Sequence, residues 1–221
     1  MSDAGDPGDP KQIVRRGYDA VSRRYRGDDD DDPRYAAWLA EITGRIAPGE
    51  PVLDLGCGAG VPAARLLAAR HPVTGVDLSE VQIARALTLV PNASFLVADM
   101  TAVGFRAASF AAVVSLFALI HVPLAEQPPL LARIRGWLRP GGWLLATTGD
   151  TAWTGTEDDW LGAGAAMFWS HADRETYRRW LVAAGFEVVW QRFVPEADAG
   201  HSLVLAQARG GNAGPCDPGW R

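Results

Sequence analysis

The sequence predicts an α/β domain built on a mostly parallel sheet with helices on both faces. Three observations carry that expectation. Short apolar runs recur near 52–55, 72–77 and 94–99, and each ends on an acid, Asp54, Asp77 and Asp99. Such runs suit parallel strands buried on both sides. Segments with helical character, 63–70 and 80–90, separate them, which is the alternation expected of a parallel sheet. Finally, three alternating glycines, Gly56, Gly58 and Gly60, join the first run to the first of these helices. Strand, glycine loop, helix is a nucleotide-binding layout.

Each element has a local reason. Val52, Leu53 and Leu55 supply the first strand. The glycines let the chain turn sharply and leave no Cβ between backbone and ligand. Pro62 falls in the first turn of the next helix, where a missing N–H costs nothing. Asp77 ends the second run 17 residues after Gly60, close to the spacing of an acid that bonds ribose hydroxyls. Read alone, Asp77 suits a helix cap equally well; three acid-tipped strands behind a triple glycine are a stronger signal. Ser79 is a good N-cap for helix 80–90, whose Val81, Ile83, Ala84 and Leu87 mark an apolar side. A fourth strand is predicted over 109–116 and a helix over 126–138, with Pro128 and Pro129 in its tolerant first turn. Arg139-Pro140-Gly141-Gly142 reads as a tight turn into a fifth strand, 143–148. A helix over 173–184, capped by Asp173 and stopped by Gly185, precedes an antiparallel pair, 186–194 and 201–208.

The glycine spacing narrows the ligand. A dinucleotide fingerprint needs its third glycine where Val61 stands, and Asp54 would repel a pyrophosphate. A carboxylate at that strand end suits a ligand carrying a cation, such as an amino group or a sulfonium. The stretch Val52-Leu53-Asp54-Leu55-Gly56-Cys57-Gly58-Ala59-Gly60 resembles motif I of the class I S-adenosylmethionine-dependent methyltransferases. Leu138-Arg139-Pro140-Gly141-Gly142-Trp143-Leu144-Leu145 resembles a second landmark of that family. The resemblance implies a Rossmann-like seven-stranded methyltransferase sheet of order 3-2-1-4-5-7-6 with strand 7 antiparallel, and S-adenosyl-L-methionine as cofactor. It assigns cofactor contacts to Tyr25, Asp54, Gly56, Cys57, Gly58, Gly60, Asp77, Leu78, Asp99, Met100 and Ser115. Among these, Asp99 would accept from the adenine amine and the Met100 N–H would lie beside the ring. Tyr18 to Tyr25 is similar to the Tyr-Asp-x-x-Ala-x-x-Tyr stretch of small-molecule members, where the helix folds over the cofactor as a lid. Tyr18 and Tyr25 read equally well as core packing.

Composition bounds the rest. The 221 residues suit one domain with a sizeable core. Residues 1–10 read as a disordered leader, 11–209 as a single domain with a helical lid (11–45) and an aromatic insert (149–172), and 210–221 as a flexible tail. The net charge of −5 argues against nucleic acid as a partner. Arg15, Arg16, Arg23, Arg24 and Arg26 are offset by Asp28 to Asp32, so they read as a solvated face. No apolar run of spanning length and no secretory signal is visible, so the expectation is a cytoplasmic protein off the membrane, monomer or homodimer. Two cysteines, Cys57 and Cys216, give neither a disulfide framework nor metal-ligand spacing.

The acceptor site is expected in added segments. Residues 149–172 hold many aromatics and lack clear periodicity; such a stretch in a compact domain is usually functional. Tyr18, Phe117, Trp153, Phe168, Trp169 and His201 are the substrate-binding candidates, while Trp160 is expected to seal the sheet edge. His121 and His171 are the candidate catalytic bases, and His71 reads as structural. The leading function is methyl transfer to oxygen or nitrogen of a small, aromatic or heterocyclic acceptor. Alternatives are a non-catalytic S-adenosylmethionine-binding module and, on weaker grounds, an NAD(P)-dependent reductase.

Overall fold

The structure, a computed structural model, describes residues 8–196 and 199–210. The bulk of the predicted leader, the predicted tail and Cys216 lie outside the described residues. Seven strands form the central sheet: β1 (Val52–Leu55), β2 (Val73–Asp77), β3 (Ser94–Val97), β4 (Phe110–Ser115), β5 (Leu138–Gly149), β8 (Phe186–Glu196) and β9 (Ala199–Ala208). Their order is β3-β2-β1-β4-β5-β9-β8, with β1 to β5 parallel, β9 antiparallel to β5, and β8 antiparallel to β9. This is the expected arrangement; two further strands, β6 (Trp153–Glu157) and β7 (Met167–His171), form a separate hairpin and shift the numbering.

Side-chain alternation divides the core between the two sheet faces. Val52, Ala112, Val114 and Leu145 pack under α2 (Pro33–Thr43) and α3 (Ala63–Ala68), through Leu39, Ile42, Ala64 and Leu67. Leu53, Leu55, Val113 and Leu144 pack under α5 (Gln127–Trp137) and α6 (Arg174–Ala183), through Leu130, Leu131, Ile134 and Leu181. All of β1 and β4 is buried, as the continuous apolar runs require. With both faces filled, a ligand of this sheet is left the carboxyl ends of its parallel strands.

Four expectations change in the structure. Asp9 caps α1 (Pro10–Tyr25), its side chain accepting from the Lys11 N–H, so the last residues of the predicted leader belong to the domain. On α4 (Glu80–Leu89) the buried positions are Gln82, Ile83, Arg85 and Ala86, while Val81 and Leu87 are exposed. The cause is α1, which lies on α4 and supplies polar partners: Ser22 donates to Gln82 Oε1 at 2.7 Å and accepts from Arg85 at 2.7 Å. Residues 139–142 bulge inside β5 rather than precede it. Phe110 pairs with Leu138 and Ala112 with Trp143, so one residue faces four. Gly141, at φ +77°, makes that loop-out feasible. Finally, the aromatic insert has regular structure, with β6 and β7 paired from Trp153–His171 to Glu157–Met167.

Candidate active site

At the carboxyl ends of β1, β2 and β4, and beside the turn that follows β3, lies a cleft of about 930 Å³, mouth included, and α1 crosses it. The glycine loop forms its floor. The Gly56 and Cys57 N–H groups both donate to the Val76 carbonyl, at 2.7 and 3.0 Å, which bends the chain away from β1. Gly56 has φ +74°, and a Cβ there would sit 2.1 Å from the Ala118 Cβ. No side chain fits at that bend, and the floor stays bare backbone.

Two acids face this floor, Asp54 buried and Asp77 half-buried. Asp77 accepts from the Gly58 N–H at 2.8 Å and the Ser79 N–H at 2.9 Å. Burial raises its pKa to about 6 against the pull of those N–H groups. Asp54 is 2 % exposed. Burial, helped by the charge of Asp77, pushes its pKa up to about 7. Its Oδ2 is buried with no hydrogen-bond partner. A buried carboxylate oxygen without a donor is costly and calls for a cationic or N–H group from a ligand. A cofactor with an ammonium group beside a sulfonium fits that demand, and a pyrophosphate does not.

The third acid is already partnered. The Lys11 ammonium donates to Asp99 Oδ2 at 2.7 Å, to Thr101 Oγ1 at 2.7 Å and to Glu126 Oε2 at 2.5 Å. Burial works against ionisation of Asp99, but the Lys11 bond and those from Thr101 hold its pKa below the ordinary carboxylate value. Of the three strand-end acids, Asp54 alone has a buried oxygen without a partner, while Asp99 is already paired with a cation.

His121 sits opposite, in a 3-10 turn (Leu119–His121) after β4. Its Nδ1 lies 2.7 Å from the Phe168 carbonyl oxygen, and its Nε2 lies 3.0 Å from the Tyr18 hydroxyl. A carbonyl only accepts, so Nδ1 carries the proton and Nε2 presents its lone pair, which takes the Tyr18 O–H. Burial lowers the His121 pKa to about 4 despite the Phe168 bond, so the ring is neutral.

The cleft brings together Tyr18, Tyr25, Asp54, Gly56, Cys57, Gly58, Asp77, Leu78, Asp99, Met100, Phe117 and His121. Other predicted site residues stand elsewhere. Gly60 packs toward Val90 and Phe95. The Ser115 hydroxyl donates to the Leu55 carbonyl at 2.9 Å, tying β4 to β1. Phe168 meets His121 through its backbone. Trp169 lies behind His121, ring centroids 4.3 Å apart, and His201 stacks on the same indole at 6.4 Å. The His171 Nδ1 bonds the Thr151 carbonyl at 2.7 Å, and its ring is 5.9 Å from His201, outside the cleft. Trp153 is 48 % exposed on the hairpin. Trp160 does not seal the sheet edge; it packs beneath α1 on Tyr18 and Tyr25, at 5.2 and 5.4 Å.

Among the lining residues that sequence reasoning missed, four carry polar or charged side chains: Lys11, Arg26, Tyr35 and Gln82. Arg26 was expected on a solvated face. Its guanidinium instead lies between the Tyr25 and Tyr35 rings, 5.3 and 4.6 Å from their centroids, and pairs with Asp30 at 2.9 Å. Nothing local in the sequence marks it. Lys11 did carry a signal, being the single lysine against twenty arginines.

A parallel sheet, a side-chain-free bend and a buried unpartnered carboxylate define a site for a nucleotide-like cofactor with a cationic group. Comparison with known proteins narrows the class. Residues 52–142 match the family described as a methyltransferase domain. A stretch of 117 residues is 36% identical to the sterol 24-C-methyltransferase ERG6B of Gibberella zeae, covering 49% of this chain and 30% of that protein. Another, of 155 residues, is 33% identical to the 27-O-demethylrifamycin SV methyltransferase of Amycolatopsis mediterranei, covering 58% of this chain and 55% of that protein. The match thus spans a third to about half of these relatives' lengths. Among solved structures, the 4+2 cyclase SpnF superposes with a TM-score of 0.71 at 20% identity, over 91% of this chain and 97% of that one. Residues 52–142 are thus similar to a methyltransferase domain, and both of these relatives are methyltransferases by name.

Proposed function

We propose that the protein binds S-adenosyl-L-methionine in this cleft and directs its methyl group to an oxygen or nitrogen of a small, aromatic or heterocyclic acceptor. The observation that carries the reading is the buried, donor-less Oδ2 of Asp54 beside a bare backbone bend. The bound cofactor supplies a methyl group activated on sulfur. Displacement leaves a neutral thioether, so no acid is required. Asp54 holds the amino-acid end of the cofactor, Asp77 the ribose, and Leu78, Met100 and the glycine loop the remaining faces. The chief work of the site is alignment, worth up to about 7–11 kcal/mol in favourable intramolecular cases.

His121 is the residue we assign to the acceptor. Its neutral Nε2 lone pair now takes the Tyr18 O–H. An acceptor bearing O–H or N–H satisfies the same lone pair, and its proton passes to the imidazole as the new bond forms. Tyr18, Phe117 and the rings behind His121 supply an apolar wall that excludes water. The reading is tested by titrating the protein with S-adenosylhomocysteine and with NADH, then screening phenols, alcohols and heterocyclic amines for a methylated product. Thioether binding, NADH silence and a product are expected. His121→Ala should lower kcat about 10²–10⁴-fold with the S-adenosylhomocysteine affinity unchanged; an unchanged kcat places the base elsewhere. A second reading, a cofactor-binding protein that methylates nothing, is favoured by the cyclase among the fold neighbours. Tight thioether binding without product across the screen would support it.

A further inference from the structure

Lys11 has no part in the chemistry above, yet its ammonium is tied to three side chains at the cleft. All three of its N–H donors are spent, on Asp99, Thr101 and Glu126. These partners come from separate walls. Asp99 and Thr101 follow β3, and Glu126 ends a 3-10 turn (Leu124–Glu126) between the His121 turn and α5. Lys11 itself stands in the first turn of α1, the helix that crosses the cleft. The attachment is electrostatically strong, because burial that would lower the lysine pKa is overcome by Asp99 and Glu126, and the net shift is upward.

Asp99 is not exhausted by this contact. Its carboxylate receives the Thr101 N–H at 2.8 Å, the Lys11 ammonium at 2.7 Å, and the Thr101 hydroxyl, which lies 2.9 and 2.8 Å from the two oxygens but has one proton to give. Three donors thus meet about four lone-pair sites, and a fourth can be received. With two carboxylates on one ammonium, the cluster also keeps an excess negative charge. Both features suit one more N–H donor arriving from the cleft.

We propose that Lys11 is a positioning residue that latches α1 over the adenosine end of the cleft, sharing Asp99 with the exocyclic amine of the bound cofactor. The proposal rests on the cofactor reading above. The latch slows cofactor release: departure of an adenosine ligand requires α1 to lift, and lifting it breaks three charge-assisted bonds. Arginine in the same place keeps the charge and two of the contacts.

The test is the rate of S-adenosylhomocysteine release, followed by stopped-flow tryptophan fluorescence, in the full chain. Lys11→Met should speed release about tenfold, Lys11→Arg should stay within about threefold of the parent, and Glu126→Gln, which leaves Asp99 intact, should speed release about threefold. In the ligand-bound state, amide exchange over residues 11–17 should quicken in Lys11→Met while the glycine loop keeps its protection. Release from Lys11→Met at the parent rate overturns the latch and leaves the methyltransferase reading standing. Should Lys11→Met not fold, Glu126→Gln decides alone, and a parental release rate there overturns the proposal. A parent protein that fails to bind S-adenosylhomocysteine overturns both.

Discussion

Asp54 concentrates the physics of the site in one carboxyl group. It is held away from water, has an oxygen without a donor, and titrates near neutrality at about 7 because burial penalises its charge. A carboxyl group whose folded pKa lies above its unfolded value binds its proton more tightly when folded. Its contribution to stability is therefore present at low pH and lost as pH rises from about 4 through about 7. A cationic ligand reverses the preference, since it requires the anion. S-adenosylhomocysteine affinity should fall about tenfold from pH 8 to pH 6, and Asp54→Asn should flatten that dependence while weakening binding at pH 8. A parent affinity that is flat across this range would remove Asp54 from the ligand contacts. Asp77 is anchored by two backbone N–H groups and so is pre-aimed. Asp77→Ala should weaken binding by about 1.5–3 kcal/mol, the worth of charge-assisted bonds to ribose, as read by calorimetry.

At the scale of elements, the seam between α1 and α4 governs the cleft. Arg85, 9 % exposed, donates to the Ser22 hydroxyl, the Arg26 carbonyl and Asp28. Gln82 takes the Ser22 hydroxyl, and Ser79 donates to Asp19 at 2.6 Å. A seam made of hydrogen bonds parts more readily than an apolar one, because water can replace each bond. That suits the lifting of α1 that the proposed latch involves. Arg85→Ala should cost about 1–3 kcal/mol by leaving buried partners unsatisfied. Hydrogen exchange should then rise across α1 before it rises in β1 or β4. Uniform loosening of the sheet and α1 together would mean that the seam and the core open as one unit.

At the scale of the whole molecule, ligand binding and folding are linked. The cleft is walled by β-strand ends, α1 and the post-β4 turns, which the unfolded chain does not bring together. S-adenosylhomocysteine at 100 times its Kd should add about 2.7 kcal/mol of stability. For a chain of this size that raises Tm by about 5–10 °C. Scanning fluorimetry checks it, and Asp54→Asn should shrink the shift. Among the described residues no helix is long and apolar enough to cross a membrane.

While the strand order followed from the family resemblance, the sequence alone determined the strands of the sheet and the glycine bend. Those features are written in local terms: apolar runs bounded by acids, glycines at fixed spacing, caps such as Ser79 and Asp173 that bond their own helices. It also named twelve of the cleft residues, since strand ends and the segments that follow them carry motif spacing. Tertiary structure alone decided what those residues meet. Burial left Asp54 without a donor, the lid brought Lys11 to Asp99, and the Phe168 carbonyl fixed the His121 tautomer. It also turned the polar Gln82 and Arg85 inward, against the apolar stripe read from α4, because α1 offered them partners. Each of these depends on groups 47 to 88 residues apart in the chain, or on the absence of any group at all. Periodicity and spacing report what a residue does to its own element, and an electrostatic partner across the cleft lies beyond their reach.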